Sequence, residues 1–245
     1  MPPGRSSLEQ LEMRRCVLID DQGVSCIDSG PGLLDLTTMY VERTAITDNA
    51  LAKLARSLSH LTQLDISMCD LITNAGARVL AEHLPQLLWL RMEYCTRLSD
   101  GVMKHLARMD SLKVLSLQGC HKITDVGWRR AAGRRVSFGL EEVDVGCTGA
   151  GDIAVRYIAQ CMHVLRYLDL LGCPISNRAL PYVARHIPRL DELSLNNCLR
   201  LTYAGLHALA RCHDNLRVIC LAGCSSVTET GKQTLASEIP GLQIF

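Results

Sequence analysis

Aromatic side chains are scarce in this chain of 245 residues. Phe, Trp and Tyr together make up 4% of the residues, whereas the hydrophobic share is 48%. The core must therefore be aliphatic, and the composition is typical of a folded globular protein rather than a disordered one. Long apolar runs are absent too, because no stretch approaches the roughly 18 residues that a membrane-spanning helix needs.

The chain also lacks an excess of charge of either sign. It has 26 basic and 25 acidic residues, which give a net charge of +1, so no global field draws it towards nucleic acid or a membrane surface. The opening stretch MPPGRSSLEQLEMRRC has no apolar segment of the kind that forms a signal peptide. We therefore expect a cytoplasmic protein whose 12 cysteines are free thiols, while import into an organelle by a short signal stays open.

Sequence signatures of catalysis and metal binding are missing as well. The chain has no G-x-S-x-G, no phosphate-binding loop, no H-E-x-x-H and no C-x-x-C. The pairs Cys120–His121 and Cys212–His213 lack a second ligand pair at zinc spacing. The sequence therefore predicts a protein that is not an enzyme and has no cofactor and no metal site.

What the sequence does contain is an internal repeat. Its pattern, L-x-x-L-x-L-x-x-C-x-x-I-T-D-x-G, is clearest in LKVLSLQGCHKITDVG at residues 112–127. The mean step between copies is near 26 residues, within the range of about 20–29 for leucine-rich repeats. The second aliphatic anchor of each copy falls at 11, 34, 64, 90, 115, 143, 168, 193, 219 and 244. Eight of the twelve cysteines share one position of the pattern, at 16, 69, 95, 120, 147, 173, 198 and 224.

Each copy predicts one strand followed by one helix. The Leu-x-Leu pair forms a short parallel strand, and the small buried cysteine supplies a weak S–H donor where the chain turns. The following Ile-Thr-Asp opens a helix, which Thr, Ser or the next Asp can cap. We therefore expect an α/β fold, a curved solenoid with parallel strands on its concave face and helices on its convex face. We expect residues 1–245 to form one domain, irregular over 1–59, where the VSCIDSGPG stretch is too short for a full helix, and regular over 60–245.

The pattern resembles the cysteine-containing subclass of leucine-rich repeats. It is similar to the repeats of F-box leucine-rich proteins, of antagonist-of-mitotic-exit proteins, and of leucine-rich subunits of the axonemal nexin–dynein regulatory complex. The resemblance covers nearly the whole chain and implies the solenoid fold, but these proteins share the scaffold and differ in partner. About seven residues precede the first repeat, and we expect no F-box there because they leave no room for one.

Both ends of the chain lack the polar capping repeats that solenoids normally have. The sequence ends on GLQIF, inside a predicted strand, which would leave Ile244 and Phe245 on an unpaired parallel edge. We expect a partner to cover one or both ends. Two alternatives stay open, namely that the terminal residues fold over locally or that the chain is a fragment.

Candidate binding residues lie on the predicted concave face. An exposed Trp and Tyr among charges are typical of an interface hot spot, although a surface Trp without a partner is the alternative. An acidic face favours a basic partner segment and disfavours nucleic acid. The residue between the two strand anchors gives the column Glu12, Asp35, Asp65, Arg91, Ser116, Asp144, Asp169, Ser194 and Cys220. We predict partner contacts at Asp65, Trp89, Arg91, Glu93, Tyr94, Asp144, Tyr167, Asp169 and Leu171.

A second candidate is the basic stretch WRRAAGRRVSF at residues 128–138, which carries Arg129, Arg130, Arg134 and Arg135. It belongs to a predicted convex helix and the loop after it. These arginines could dock on an acidic surface such as a tubulin tail, or on RNA. The alternative, which we favour, is an ordinary solvated helix.

The sequence thus predicts a non-enzymatic interaction scaffold or adaptor subunit of a larger assembly. The resemblance suggests a cytoskeletal setting in a ciliary or flagellar axoneme. The alternative is a substrate-recruiting or regulatory protein of a ubiquitin-ligase or mitotic-exit pathway.

Overall fold

A computed structural model describes residues 8–25, 35–132, 139–210 and 215–245. In these ranges short strands alternate with helices along the chain. The strands are β1 Gln10–Glu12, β2 Thr38–Tyr40, β3 Gln63–Asp65, β4 Trp89–Arg91, β5 Val114–Ser116, β6 Glu142–Asp144, β7 Tyr167–Asp169, β8 Glu192–Ser194, β9 Val218–Cys220 and β10 Gln243–Ile244. The helices are α1 Asp21–Ser25, α2 Asp48–Ser57, α3 Asn74–His83, α4 Met103–Leu106 (preceded by a 3₁₀ turn, Asp100–Val102), α5 Asp125–Ala132, α6 Asp152–Cys161, α7 Leu180–His186, α8 Tyr203–Ala210 and α9 Glu229–Glu238.

The ten strands form one parallel sheet in which every strand pairs with its neighbours in chain order. The middle residue of nearly every strand is buried, as Leu64, Leu90 and Leu115 illustrate, and packs towards the helices. The first and third residues of each strand consequently lie on the opposite side of the sheet. This arrangement confirms the predicted fold class, an α/β leucine-rich repeat solenoid. No helix within the described ranges combines the length and apolarity that crossing a bilayer requires.

The second repeat is in a different register from the one the sequence suggested. Met39, and not Leu34, aligns with Leu11 on one side and Leu64 on the other. The prediction was wrong because this repeat has Met at the anchor and Thr44 at the cysteine position, so the nearby LLDL looked like the better match. Of the VSCIDSGPG stretch, only the first two residues, which end α1, lie inside the described part of the chain.

The repeated cysteine satisfies the backbone between neighbouring repeats. Its Sγ donates to a carbonyl of the preceding repeat, as from Cys198 to Leu170 at 3.2 Å. Burial raises the pKa of the Cys198 thiol to about 12, so it stays protonated at neutral pH. The cysteines that make this bond are Cys69, Cys95, Cys120, Cys173, Cys198 and Cys224.

Two of the eight predicted cysteines do not join this row. Cys147 takes the left-handed position just before it, with φ +53°. Thr148 occupies the cysteine position instead and donates to the Val145 carbonyl at 2.7 Å. Cys16 is exposed and its Sγ lies 3.7 Å from the Arg14 carbonyl in its own repeat.

The helix starts are joined by side-chain bonds that the sequence did not predict. Thr47 and Thr73 cap their own helices as expected. The Asp that follows such a cap reaches forward instead, and Asp48 accepts from both the backbone N–H (2.9 Å) and the hydroxyl (2.6 Å) of Thr73. We call each such bond between successive repeats a rung. The rungs join Asp21 to Thr47, Asp48 to Thr73, Asn74 to Ser99, Asp100 to Thr124, Asp125 to Gly151, Asp152 to Ser176 and Asn177 to Thr202.

The series of rungs is interrupted at α8, whose first residue is Tyr203. There a different cluster joins α8 to α9, in which the Tyr203 hydroxyl and His207 Nδ1 each lie 3.0 Å from a carboxylate oxygen of Glu238. The last helix is therefore attached to its neighbour by long, partly exposed side chains.

Candidate protein-binding face

The side of the sheet that the helices do not cover is the predicted binding surface. We call it the strand face and define it by the first and third residues of each strand and by the residue two positions after each strand's end. Many of these side chains are partly or fully exposed. Its third-residue column is Glu12, Tyr40, Asp65, Arg91, Ser116, Asp144, Asp169, Ser194 and Cys220.

An aromatic–arginine cluster occupies the strand face at β2 and β4. The rings of Tyr40 and Trp89 meet edge to face with centroids 6.0 Å apart. Arg14 lies over Tyr40 at 4.2 Å, and Arg91 lies over Trp89 at 5.0 Å. Rings fixed in this way lose little conformational freedom on binding, which suits a hot spot. The structure thus brings together the predicted Trp89 and Arg91, and it adds Tyr40, which the wrong register of the second repeat had hidden.

Glu93 and Tyr94 lie beyond the end of β4. Glu93 forms an ion pair with Arg91 at 3.3 Å. Tyr94 is 37% exposed and adopts φ +54°. Its ring covers Gly119 so closely that a Cβ there would clash with it. Tyr94 is therefore both accessible and packed against the next repeat.

Carboxylates gather on the strand face at β6 and β7. Asp144 accepts from the Gly146 N–H at 2.8 Å and from the Ser116 hydroxyl at 3.3 Å. Burial raises the pKa of Asp144 to about 6, and the nearby charges of Asp169 and Glu93 act in the same direction. The ionised form of Asp144 is therefore disfavoured in the folded protein, both by burial and by the neighbouring carboxylates.

Asp169 has a similar local role one repeat further on. It accepts from the Leu171 N–H at 2.7 Å and from the Tyr167 hydroxyl at 3.1 Å. Burial, with the Asp169 carboxylate beside it, raises the pKa of the Tyr167 phenol, which stays protonated. Both aspartates thus hold the backbone turn after their strand and still present charge to the strand face.

Asp65 differs from the other two aspartates in accessibility. It is 2% exposed and accepts from the Ser67 N–H at 2.9 Å. Its carboxylate therefore holds the turn after β3 and lies beneath the surface on which we expected it.

A groove of about 530 Å³ crosses the strand face at Asp144 and Tyr167. Five carboxylates and two guanidinium groups line it, and both arginines are ion-paired, Arg91 with Glu93 and Arg166 with Asp191 at 2.7 Å. The groove is therefore an acidic depression. Its lining includes Arg91, Ser116, Glu141, Glu142, Asp144, Arg166, Tyr167, Asp191 and Glu192.

The other predicted sites lie apart from this groove. Arg129 and Arg130 are exposed on α5, on the helix side, whereas Arg134 and Arg135 lie outside the described residues. At the other end, Ile244 is half-buried in β10 and Phe245 is 65% exposed. Within the described part of the chain, no group of three or more His, Cys, Asp and Glu side chains is placed to hold a metal ion.

Comparison with known proteins agrees with the fold. A family described as Leucine Rich repeat matches residues 57–81 and 110–128. Internalin C2 from Listeria monocytogenes superposes with a TM-score of 0.50 at 16% identity, covering 97% of this chain and 80% of that one. The sheet, the repeat and these matches define a leucine-rich repeat solenoid. Such solenoids typically serve as protein-interaction scaffolds.

Two curated proteins are similar in sequence. Putative F-box/LRR-repeat protein 23 of Arabidopsis thaliana is 25% identical over 186 residues, which cover 76% of this chain and 36% of that protein. Antagonist of mitotic exit network protein 1 of Candida albicans is 29% identical over 115 residues, which cover 41% of this chain and 18% of that protein. The predicted resemblance to both classes is confirmed, and the chain spans only about a third or less of these relatives' length.

Proposed function

We propose that this protein is a non-enzymatic interaction scaffold whose strand face binds a basic segment of another protein. The observation that carries the proposal is the charge of the groove, in which carboxylates outnumber guanidinium groups and the arginines are already paired. A partner's Lys or Arg placed there would gain favourable charge interactions without displacing an existing ion pair.

The aromatic–arginine cluster supplies the second half of the proposed contact. Trp89 and Tyr40 lie on the same face as the acidic groove, and Arg91 belongs to both. A basic segment crossing the groove would bury apolar ring surface at one end and neutralise Asp144 and Asp169 at the other. Buried aromatic anchors beside complementary charge are the usual source of affinity in protein interfaces.

The raised pKa of Asp144 makes this binding depend on pH. Above its pKa of about 6, Asp144 carries the charge that a basic partner needs, and below that value it is protonated. Affinity should therefore fall as the pH is lowered through about 6, and the change should be absent in a variant that cannot ionise at this position.

The test is the double variant Asp144→Asn and Asp169→Asn, called the groove variant, which removes one carboxylate that lines the groove and the one beside it on the next strand. Asn retains an oxygen that can accept from the Gly146 and Leu171 N–H groups, so the charge is removed while the turns are kept. A matched control, Asp70→Asn with Asp110→Asn, removes two exposed charges elsewhere. The probe is a short fluorescent peptide with alternate lysines, measured by anisotropy with wild type and both variants.

We expect the groove variant to bind the peptide at least about tenfold more weakly than wild type, and the control to lose less than about twofold. Replacing Trp89 and Tyr94 by Ala should also weaken binding without unfolding the protein. Equal losses in the groove variant and the control would show that only net charge matters, and the assignment of the strand face would be wrong.

A second candidate function is substrate recruitment or regulation in a ubiquitin-ligase or mitotic-exit pathway. The names of the two relatives favour it, while the axonemal setting stays a prediction based on resemblance alone. Native purification distinguishes the roles. A fixed set of stoichiometric partners would support an assembly subunit, whereas a soluble monomer with transient partners would support a recruiter.

A further inference from the structure

A row of cations runs across four consecutive helices on the side opposite the strand face. Counted from the residue that forms the rung, the fifth residue of each repeat's helical segment is basic from α3 to α6. All four side chains are exposed. The row breaks off at Ala52 on α2 and Pro181 on α7. Its members are Arg78, Lys104, Arg129 and Arg156.

The rungs fix the alignment of this row. Asn74 is bonded to Ser99, Asp100 to Thr124, and Asp125 to Gly151, so each helix begins level with the next. We therefore expect residues at equal distance from these starts to lie near one another on adjacent helices. In these rungs Asp100, Asp125 and Asp152 accept from neutral groups of the next repeat, so they keep their charge but form no ion pair with the cations one helical turn further on.

Ion pairs engage little of this positive charge. Among the described residues, Arg78 has an exposed ion pair with Glu82, Arg156 stacks on Tyr182 at 5.6 Å, and Lys104 and Arg129 have no ion pair. Arg108 and Arg130 add further exposed charge beside the row. Burial, and then the nearby charges of Lys104, Arg108 and Arg78, lower the pKa of the His105 imidazole, while Glu82 acts in the opposite direction.

We propose that this row binds an extended acidic polypeptide segment of a partner, on the face opposite the proposed groove. Adjacent packed helices lie about 8–10 Å apart. An extended chain in the polyproline II conformation has three residues per turn and advances about 3.1 Å per residue, so an Asp or Glu at every third residue falls on one face about 9 Å apart and matches the spacing of the cations. A basic segment on one face and an acidic segment on the other would let the solenoid join two partners of opposite charge.

The helix face favours a polypeptide over single-stranded nucleic acid. Single strands are bound by a basic groove together with exposed aromatic rings on which bases stack. In the described part of these helices, Trp128 is 2% exposed, Tyr157 is half-buried, and Tyr182 carries Arg156 on its ring. No fully exposed ring therefore lies beside the described cations for a base to stack on.

The experiment compares the wild-type chain of 245 residues with the triple variant Lys104→Gln, Arg129→Gln and Arg156→Gln. A matched control, Arg97→Gln, Arg189→Gln and Arg217→Gln, removes three exposed positive charges outside the row. The probes are a fluorescent peptide with Glu at every third residue, a scrambled peptide with its Glu residues clustered, and a single-stranded oligonucleotide of equal charge. Circular dichroism checks that each variant is folded.

We expect the triple variant to bind the spaced peptide about 10- to 100-fold more weakly than wild type, since each exposed pair contributes up to roughly fivefold. The control should lose less than about threefold, and the spaced peptide should bind more tightly than the scrambled one. Equal losses in both variants, or equal binding of both peptides, would overturn the proposal. Tighter binding of the oligonucleotide, lost in the triple variant, would assign the row to nucleic acid and would also overturn it.

Discussion

The replacement Asp144→Asn should stabilise this protein at neutral pH, although it removes a group that we place in the binding face. Asn keeps an acceptor for the Gly146 N–H and a polar group beside the Ser116 hydroxyl. What it removes is a charge that burial and the carboxylates of Asp169 and Glu93 make costly to hold. The side chain is nearly isosteric, so packing on the strand face should not change.

The size of the effect follows from the pKa. A rise from 3.8 to about 6 corresponds to a ceiling of about 3 kcal/mol, because each pKa unit is about 1.36 kcal/mol. Asp144 borders an open groove, and screening by water reduces this to about 1–2 kcal/mol. For a protein of this size, that gain raises Tm by about 2–8 °C.

The pH dependence of the stability gain shows whether the ionisation of Asp144 is its cause. The folded protein holds the Asp144 proton more tightly than the unfolded chain, so wild-type stability falls as the pH rises from about 4 to about 6. Asn does not ionise. The gain in Tm should therefore be near zero at about pH 4 and complete above about pH 7.

The assay is thermal unfolding followed by circular dichroism across this pH range. Wild type and Asp144→Asn are compared with Asp110→Asn, which removes an exposed carboxylate and should have little effect at any pH. A gain that is equally large at low pH would show that packing, not ionisation, is responsible. A loss of stability at neutral pH would refute the reasoning outright.

Two further predictions concern the contacts between repeats. Asp48→Ala leaves the Thr73 N–H and hydroxyl without their partner and should cost about 1–3 kcal/mol in urea unfolding. Asp48→Asn should cost much less, because Asn forms the same rung at Asn74; equal losses would mean that the hydrogen bonds Asn can replace do not account for the cost. Iodoacetamide at mildly alkaline pH should label the exposed Cys16 well before the buried Cys198, whose pKa is raised to about 12, and early labelling of Cys198 in the folded protein would contradict its burial.

The sequence was sufficient for the strands, the helices and the role of most cysteines, because these depend on a periodic pattern. Prediction from the sequence failed where a repeat has other residues at the positions of the characteristic Leu and Cys. Met39 and Thr44 replace Leu and Cys in the second repeat, so Tyr40 was not recognised as part of the strand face. For the same reason Cys147 was assigned to the buried cysteine position of its repeat. That position is occupied by Thr148, one residue later.

Contacts between repeats were harder to predict than those within one. The Asp after each helix cap looked like a capping residue of its own helix, and only the structure places it against the next repeat. Asp65 was expected on the surface because its strand position is the same as that of Asp144. It is only 2% exposed, and in the sheet it lies between Tyr40 and Arg91, a pairing across strands that a one-dimensional pattern does not include.

The interruption of the rungs at Tyr203 has a consequence for how the molecule opens. In a chain of units that touch only their neighbours, separation begins at the junction with the weakest coupling. Between α8 and α9 the rungs, which tie a helix start to the backbone of the next repeat, give way to a carboxylate shared by a phenol and an imidazole. Amide protons of α9 should therefore exchange with deuterium ahead of those of α6 and α7, because the last repeat separates from its neighbour and repacks while the rest of the solenoid stays folded.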